Sequence, residues 1–341
     1  MVHKQVINIS FIGAGNIATQ HMNYLKKFPD VKIFGVYDIH QNTVLAKQHG
    51  CDVGFYNSLD QMLDGVKPDA VFICIPPYAH GKAEMMCIER KIPFLVEKPL
   101  AREIDVARRI ASEVKNSGVI TSVAYMNRYR EGVQKAKKLI EKFPVTMIHG
   151  GWIINPPNMD HPWLMKHELS GGQVVEQTTH LFDIVRYLCG EVSYVQCYGT
   201  KGFIPISDTY NTYDATGTLF RFKSGIFASI LSSWSSGLEN KIYLNLSGVD
   251  INIQFNGWDF DAQISSRDHP EAVYIPGEKN IFAIEDRAFV NAVKHNNPAE
   301  VLSDYANGVK SLEISIAANK SLEAGSPVSL AEGFGENAIS I

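Results

Sequence analysis

The sequence predicts an α/β chain in two parts: a doubly wound parallel sheet, then an α+β domain with a large, mostly antiparallel open sheet. Three observations carry this. Up to residue 125, short apolar runs alternate with long helical periodicities, so the strands are joined by crossovers and must run parallel. Beyond it the β runs follow one another through short turns such as Lys223-Ser224-Gly225, the pattern of antiparallel neighbours. The length of 341 residues exceeds one ordinary core and places domains at 1–125 and 126–341, with the C-terminal helices able to pack back on the first.

In chain order, Gln5–Ile12 reads as a strand and Asn16–Phe28 as a helix with Ile17, His21, Tyr24, Leu25 and Phe28 on one face, stopped by Pro29. Lys32–Tyr37 is the next strand, and Asn42–His49 a helix closed by Gly50. Ala70–Ile75 is a β-branched run ended by Pro76-Pro77, then a helix runs through Arg90. Strand Pro93–Val96, helix Ile104–Asn116 and strand Val119–Ala124 complete the first pattern. In the second part, one helix is expected over Gln173–Leu188. Strands follow at Val192–Gly199, Ala215–Phe222, Ile226–Trp234, Lys241–Leu246 and Asp250–Phe255, and helices return at Glu285–His295 and Tyr305–Glu323.

Composition narrows the class. Apolar residues make up 45%, charged residues 20%, and the net charge is -4, which excludes a disordered or fibrous chain. It also argues against a protein that grips phosphate backbones, so no nucleic-acid partner is expected. No apolar stretch is long enough to span a bilayer, and the first residues lack signal-peptide features. Five cysteines without a C-x-x-C pair fit reduced thiols in the cytoplasm, with neither zinc nor disulfides expected.

Gly13-Ala14-Gly15-Asn16-Ile17-Ala18 sits between a predicted strand and a predicted helix. Small residues there let the backbone turn tightly and approach a pyrophosphate, whose charge meets the free N–H groups of the helix start. Asp38, 20 residues beyond Ala18, stands where a carboxylate accepts hydrogen bonds from an adenosine ribose. It would repel a 2′-phosphate, and Ile39-His40-Gln41-Asn42 offers no arginine to neutralise one, so the expected cofactor is NAD. A tight turn and a solvated acid are the plain alternatives for these residues.

Glu97-Lys98-Pro99 closes a strand, and ligands of such sheets bind beyond the carboxyl ends of the strands, which delivers Lys98 to the cofactor's edge. Pro99 keeps Lys98 out of helical geometry. Across Gln173–Leu188, steps of about 100° put Glu176, His180, Asp183 and Tyr187 in one stripe. Val174, Thr178, Leu181, Phe182, Val185 and Leu188 then fall opposite. Two carboxylates around an imidazole suit proton transfer; a polar surface stripe is the alternative. Glu176 and His180 have metal-ligand spacing, but no further His or Cys cluster supports a metal.

The Gly13–Ala18 fingerprint, Glu97-Lys98-Pro99, Tyr125-Met126-Asn127-Arg128, and Gly171-Gly172 leading to His180-x-x-Asp183 together resemble the glucose–fructose oxidoreductase/inositol dehydrogenase (Gfo/Idh/MocA) family over nearly the whole chain. The resemblance implies a Rossmann NAD-binding domain, a C-terminal open sheet used for oligomer contacts, and a site in the cleft between domains. It implies that Lys98 and His180 face the substrate and that Pro76 and His80 lie near the nicotinamide half. Cofactor-binding residues are then Gly13, Gly15, Asn16, Ile17, Asp38, Pro76, His80, Glu97 and Lys98. Catalytic candidates are Lys98, His180 and Glu176; substrate candidates are Asn127, Arg128, Trp163 and Asp183. Glu176 stands where many members carry Asp, one methylene longer.

The chemistry agrees. Oxidising a secondary alcohol needs a hydride acceptor and a base for the hydroxyl proton. His180 has the best-matched intrinsic pKa, with Glu176 or Asp183 to orient it and Lys98 to hydrogen-bond the reacting oxygen; the reverse roles are also open. Trp152, Asn155, Trp163 and Lys166 are assigned to a Pro/Asn-rich loop bordering the site, suited to a sugar ring or simply anchoring that loop. A neutral sugar, inositol or polyol is the expected substrate, and a homodimer or homotetramer the expected assembly. A redox-neutral enzyme on the same scaffold and a non-catalytic nucleotide-gated regulator are the competing classes.

Overall fold

The computed structural model describes residues 6–39, 53–155, 163–236 and 240–330. The chain divides into two compact units, 1–126 with 280–309, and 127–279 with 310–341. The expected helix Asn42–His49, and His40, Pro156, Pro157 and Asn158, lie outside the described residues.

The first unit is a six-stranded parallel sheet. Its strands are β1 (Ile7–Ile12), β2 (Val31–Tyr37), β3 (Gly54–Tyr56), β4 (Ala70–Ile73), β5 (Phe94–Val96) and β6 (Thr121–Val123), in the order β3-β2-β1-β4-β5-β6. Both faces are covered by helices, so β4 and β5 are apolar and buried at every position. The connecting helices are α1 (Asn16–Leu25), α2 (Leu59–Val66), α3 (Lys82–Glu89) and α4 (Ile104–Ser117). β3 and α2 were not anticipated: Gly54-Phe55-Tyr56 is too short for a two-residue periodicity to register. A later helix, Ile281–His295, also belongs to this unit and packs on α1. Its Phe289 meets the Phe72 ring edge-on at 5.6 Å, while Phe11 stacks on Phe72 at 5.1 Å.

The second unit opens with α5 (Glu131–Lys142) and β7 (Val145–Ile153), then the short helices α6 (His167–Ser170) and α7 (Gln173–Glu176), and α8 (Thr179–Cys189). The strands β8 (Val192–Thr200), β9 (Ala215–Phe222), β10 (Phe227–Ser233), β11 (Lys241–Gly248), β12 (Ile251–Asn256), β13 (Asp261–Ser266) and β14 (His269–Ile275) follow. Helix α9 is the Ile281–His295 element, α10 spans Tyr305–Ala324, and β15 is Val328–Ser329. The nine-stranded sheet has the order β14-β13-β12-β11-β7-β10-β9-β8-β15, antiparallel except where β7 and β10 run parallel. Strand β7 escaped notice because Gly150-Gly151 interrupts its pattern; a Cβ on Gly150 would stand 2.7 Å from the Tyr243 carbonyl oxygen.

Two expectations are corrected here. The predicted single helix Gln173–Leu188 is two helices broken at Gln177-Thr178. The Thr178 N–H reaches back five residues to the Gln173 carbonyl, and the ladder restarts with His180 to Gln177. Val174, Val175, Thr178 and Thr179 are β-branched and weak helix formers, and the indole of Trp234 draws Gln177 away at 2.8 Å. Nor does α8 show an open polar face: His180, Leu181, Phe182, Asp183, Ile184, Val185 and Arg186 are all buried. The helix crosses the core of its unit, with Leu181, Phe182 and Val185 against Ile148, Phe220, Ile230 and Leu244.

Candidate active site

In the first unit the strand order reverses between β1 and β4, the place where a parallel sheet of this kind opens a crevice. Gly13 leaves β1 at φ +95°, and a Cβ on it would stand 2.2 Å from the Cys74 carbonyl oxygen. Gly15 differs, for a Cβ there would meet nothing within 4 Å. That open space lies at the start of α1, where no side chain caps the helix and Asn16 and Ile17 form the first turn. An uncapped helix start carries the positive end of its dipole, and with the cradle over Gly15 it fits a pyrophosphate. Asp38, just beyond β2, accepts the Ala14 N–H at 2.8 Å through Oδ2, which ties the expected ribose-binding acid to the glycine turn.

Pro76 begins a turn beyond β4 in which His80 is committed to the protein itself. Its Nε2 meets the Ile75 carbonyl at 3.1 Å, its Nδ1 pairs with Glu84, and Glu84 also accepts the Gly81 N–H at 2.7 Å. Burial raises the Glu84 carboxyl, but the charge and hydrogen bond of His80 outweigh it and bring the group below its ordinary value. Both ring nitrogens of His80 are thus engaged within the turn, which they help to shape. Glu97 likewise turns inward: it is buried, and its Oε2 accepts the Lys98 N–H at 3.1 Å. Lys98 follows at the carboxyl end of β5, before a cis bond to Pro99.

In the second unit, Gly171 and Gly172 both take positive φ, +76° and +75°, and a Cβ on Gly172 would stand 2.6 Å from Thr212 Oγ1. This turn starts the broken helix that carries Glu176 and then His180. The His180 ring stacks on Trp152 at 5.8 Å and 24°, and Trp152 in turn meets Trp258 edge-on at 5.8 Å. Trp152 thus lies buried in β7 rather than in a loop, and it fixes the plane of the imidazole. Gln173 Nε2 donates to the Trp152 carbonyl at 3.2 Å, joining the helix start to the same strand. Trp163 is half-buried at the start of the described segment 163–236.

Three substrate candidates have other employment. Arg128 Nε and Nη2 donate to Asp183 at 2.8 and 2.6 Å, and Ser311 donates to the same carboxylate at 2.6 Å. The Asn127 amide oxygen accepts from Arg130 Nε at 2.7 Å. Arg128 and Asp183 are sealed from solvent and neutralise each other. Among the described residues, no group of three or more His, Cys, Asp or Glu side chains converges to hold a metal. Gln173 and Ser311 were the supporting residues that sequence reasoning missed; Trp152 was singled out, but as part of a loop.

This fold and glycine cradle define an NAD-binding oxidoreductase. Residues 7–125 match the family described as oxidoreductase, NAD-binding Rossmann fold, and residues 133–254 match the Gfo/Idh/MocA C-terminal domain. The chain belongs to the Gfo/Idh/MocA family. It is 24% identical to myo-inositol 2-dehydrogenase of Thermotoga maritima, across 96% of this chain and 100% of that protein. It is 25% identical to 2,7-anhydro-N-acetylneuraminate hydratase of Escherichia coli, across 55% of this chain and 50% of that protein. Among solved structures, levoglucosan dehydrogenase in complex with NADH and levoglucosan superposes with a TM-score of 0.85 at 21% identity, covering 96% of this chain and 100% of that one.

Proposed function

We propose that the protein oxidises a secondary hydroxyl of a neutral sugar, inositol or related polyol. The observation that carries the choice of a neutral substrate is the Arg128–Asp183 pair, which removes from use the arginine best placed to meet a carboxylate. NAD supplies the hydride acceptor when bound. Gly13, Gly15, Asn16, Ile17 and Asp38 hold its pyrophosphate and ribose, and Pro76 shapes the turn beyond β4. His180, its ring plane held by Trp152, takes the hydroxyl proton. Lys98 donates a hydrogen bond to the reacting oxygen and stabilises its developing negative charge. Glu176 and Trp163 contact the sugar. The names of the inositol and levoglucosan dehydrogenases among its relatives support this substrate class.

The test is NADH formation across myo-inositol, scyllo-inositol, levoglucosan and simple aldoses, with Lys98→Ala and His180→Ala in parallel. Each variant should lose at least about a hundredfold in kcat, the usual scale of general acid–base catalysis. Near-native turnover in both would overturn the assignment.

A second reading is a redox-neutral reaction in which the hydride is returned to the product. Two observations favour keeping it: the hydratase relative, and Glu176 as an extra acid for an elimination or hydration step. The exposed face of the second unit's sheet, with Met147, Leu219, Phe227 and Leu231 on adjacent strands, supports a homodimer or homotetramer. A monomer by light scattering would contradict that.

A further inference from the structure

In the first unit three buried titratable side chains that the proposed chemistry does not use form one cluster. His21 of α1 is fully buried, with Nδ1 2.7 Å from Asp286 Oδ1 of α9 and Nε2 3.0 Å from Glu97 Oε1. The second oxygen of Glu97 accepts the Lys98 N–H. One imidazole thus lies between two carboxylates, and a carboxylate only accepts hydrogen bonds. With both carboxyls ionised, both ring nitrogens donate and the ring is the imidazolium; burial raises the Asp286 carboxyl above its ordinary value, against the charge and hydrogen bond of His21. The remaining faces of the ring are apolar, with Phe72 at 5.3 Å and Phe282 at 5.6 Å. Cys74 also packs against this cluster, and burial pushes its thiol up and keeps it neutral.

We propose that His21 is a positioning residue, a protonated clasp that holds Glu97 and, through Glu97, the backbone at Lys98. The clasp joins three elements separated in sequence: the helix that opens on the glycine cradle, the strand end that delivers Lys98, and α9. It gives Glu97 a counter-charge where an unpaired buried carboxylate would be costly. It also ties the pyrophosphate-binding helix to the lysine that meets the substrate. Burial alone would lower the His21 pKa, but Asp286 and then Glu97 raise it well above the ordinary value, in keeping with the geometry.

The inference rests on Lys98 acting as proposed above, yet its test needs no turnover. In histidine-labelled full-length protein, both His21 ring nitrogens should give imidazolium nitrogen shifts at neutral pH, where an ordinary histidine is mostly unprotonated. The resonances are assigned by their loss in His21→Gln. In that variant, the Lys98 amide should exchange with solvent at least about tenfold faster, while the Val71 amide, bonded to the Pro93 carbonyl, keeps its rate. Asp286→Asn should give a smaller acceleration. An unprotonated ring nitrogen near neutral pH, an unchanged Lys98 rate, or equal acceleration at Val71 would each overturn the clasp. If His21→Gln fails to fold, Asp286→Asn supplies the exchange arm and the wild-type titration still decides the protonation state. A protein that shows the clasp but oxidises no polyol would lose the function proposed for Lys98 and keep this device.

Discussion

Each unit buries a carboxylate near a residue expected to do chemistry, and the two units neutralise it differently. In the second, Asp183 lies three residues after His180 and is gripped by Arg128, whose guanidinium keeps its charge at every accessible pH. In the first, Glu97 precedes Lys98 and is gripped by His21, which can lose its proton in principle and is kept charged by a second carboxylate. The arginine pair is a fixed strut of one core. The histidine pair is a strut whose strength depends on pH, and it reaches the backbone of Lys98.

The largest effect should come from breaking the arginine strut. Asp183→Ala removes the carboxylate that neutralises a buried guanidinium and should cost about 3–5 kcal/mol in urea unfolding; a loss below about 1 kcal/mol would mean the pair is not what holds α8. Next come the two glycines of the cradle. Gly13→Ala forces a Cβ against a carbonyl at positive φ and should destabilise by about 1–3 kcal/mol. Gly15→Ala has room for its Cβ, so it should melt like wild type yet bind NAD at least about tenfold more weakly by calorimetry, because the methyl enters the pyrophosphate's space.

A smaller effect concerns pH. A raised folded-state pKa at His21 means the stabilisation is complete below about pH 6.5 and is lost as pH rises through the folded value. The unfolding free-energy gap between wild type and His21→Gln should therefore be widest at mildly acidic pH and narrow toward alkaline pH. The opposite slope would show that His21 folds as a neutral ring. Smallest of all, Asp268→Asn removes an exposed partner of Lys142 and should leave the melting curve unchanged.

The first unit was legible because its signals are local. A strand, a glycine turn and a helix occur in sequence, and Asp38 sits at the end of the next strand, so the cradle needs no long-range contact to be recognised. His21 was visible as a polar residue on the inner face of its helix, but its partner Asp286 lies 265 residues away and nothing nearby announces it. In the second unit the same difficulty governs more of the site. Helical periodicity across Gln173–Leu188 assumed an unbroken ladder, and the Trp234 bond to Gln177 that accompanies the break comes from another strand. Arg128 and Asp183 each looked available for a ligand because their pairing is tertiary, 55 residues apart. The sheet's turns and alternation were readable, while β7 was hidden by its glycines and β14 by its edge-strand composition of His269, Pro270 and Glu271.

The most direct test of the central claim is to incubate the purified protein with NAD and each candidate polyol, following NADH absorbance and product NMR in the same sample. The account expects NADH in a one-to-one ratio with a keto or lactone product, lost in His180→Ala. Product without net NADH would contradict it and establish the redox-neutral reaction instead.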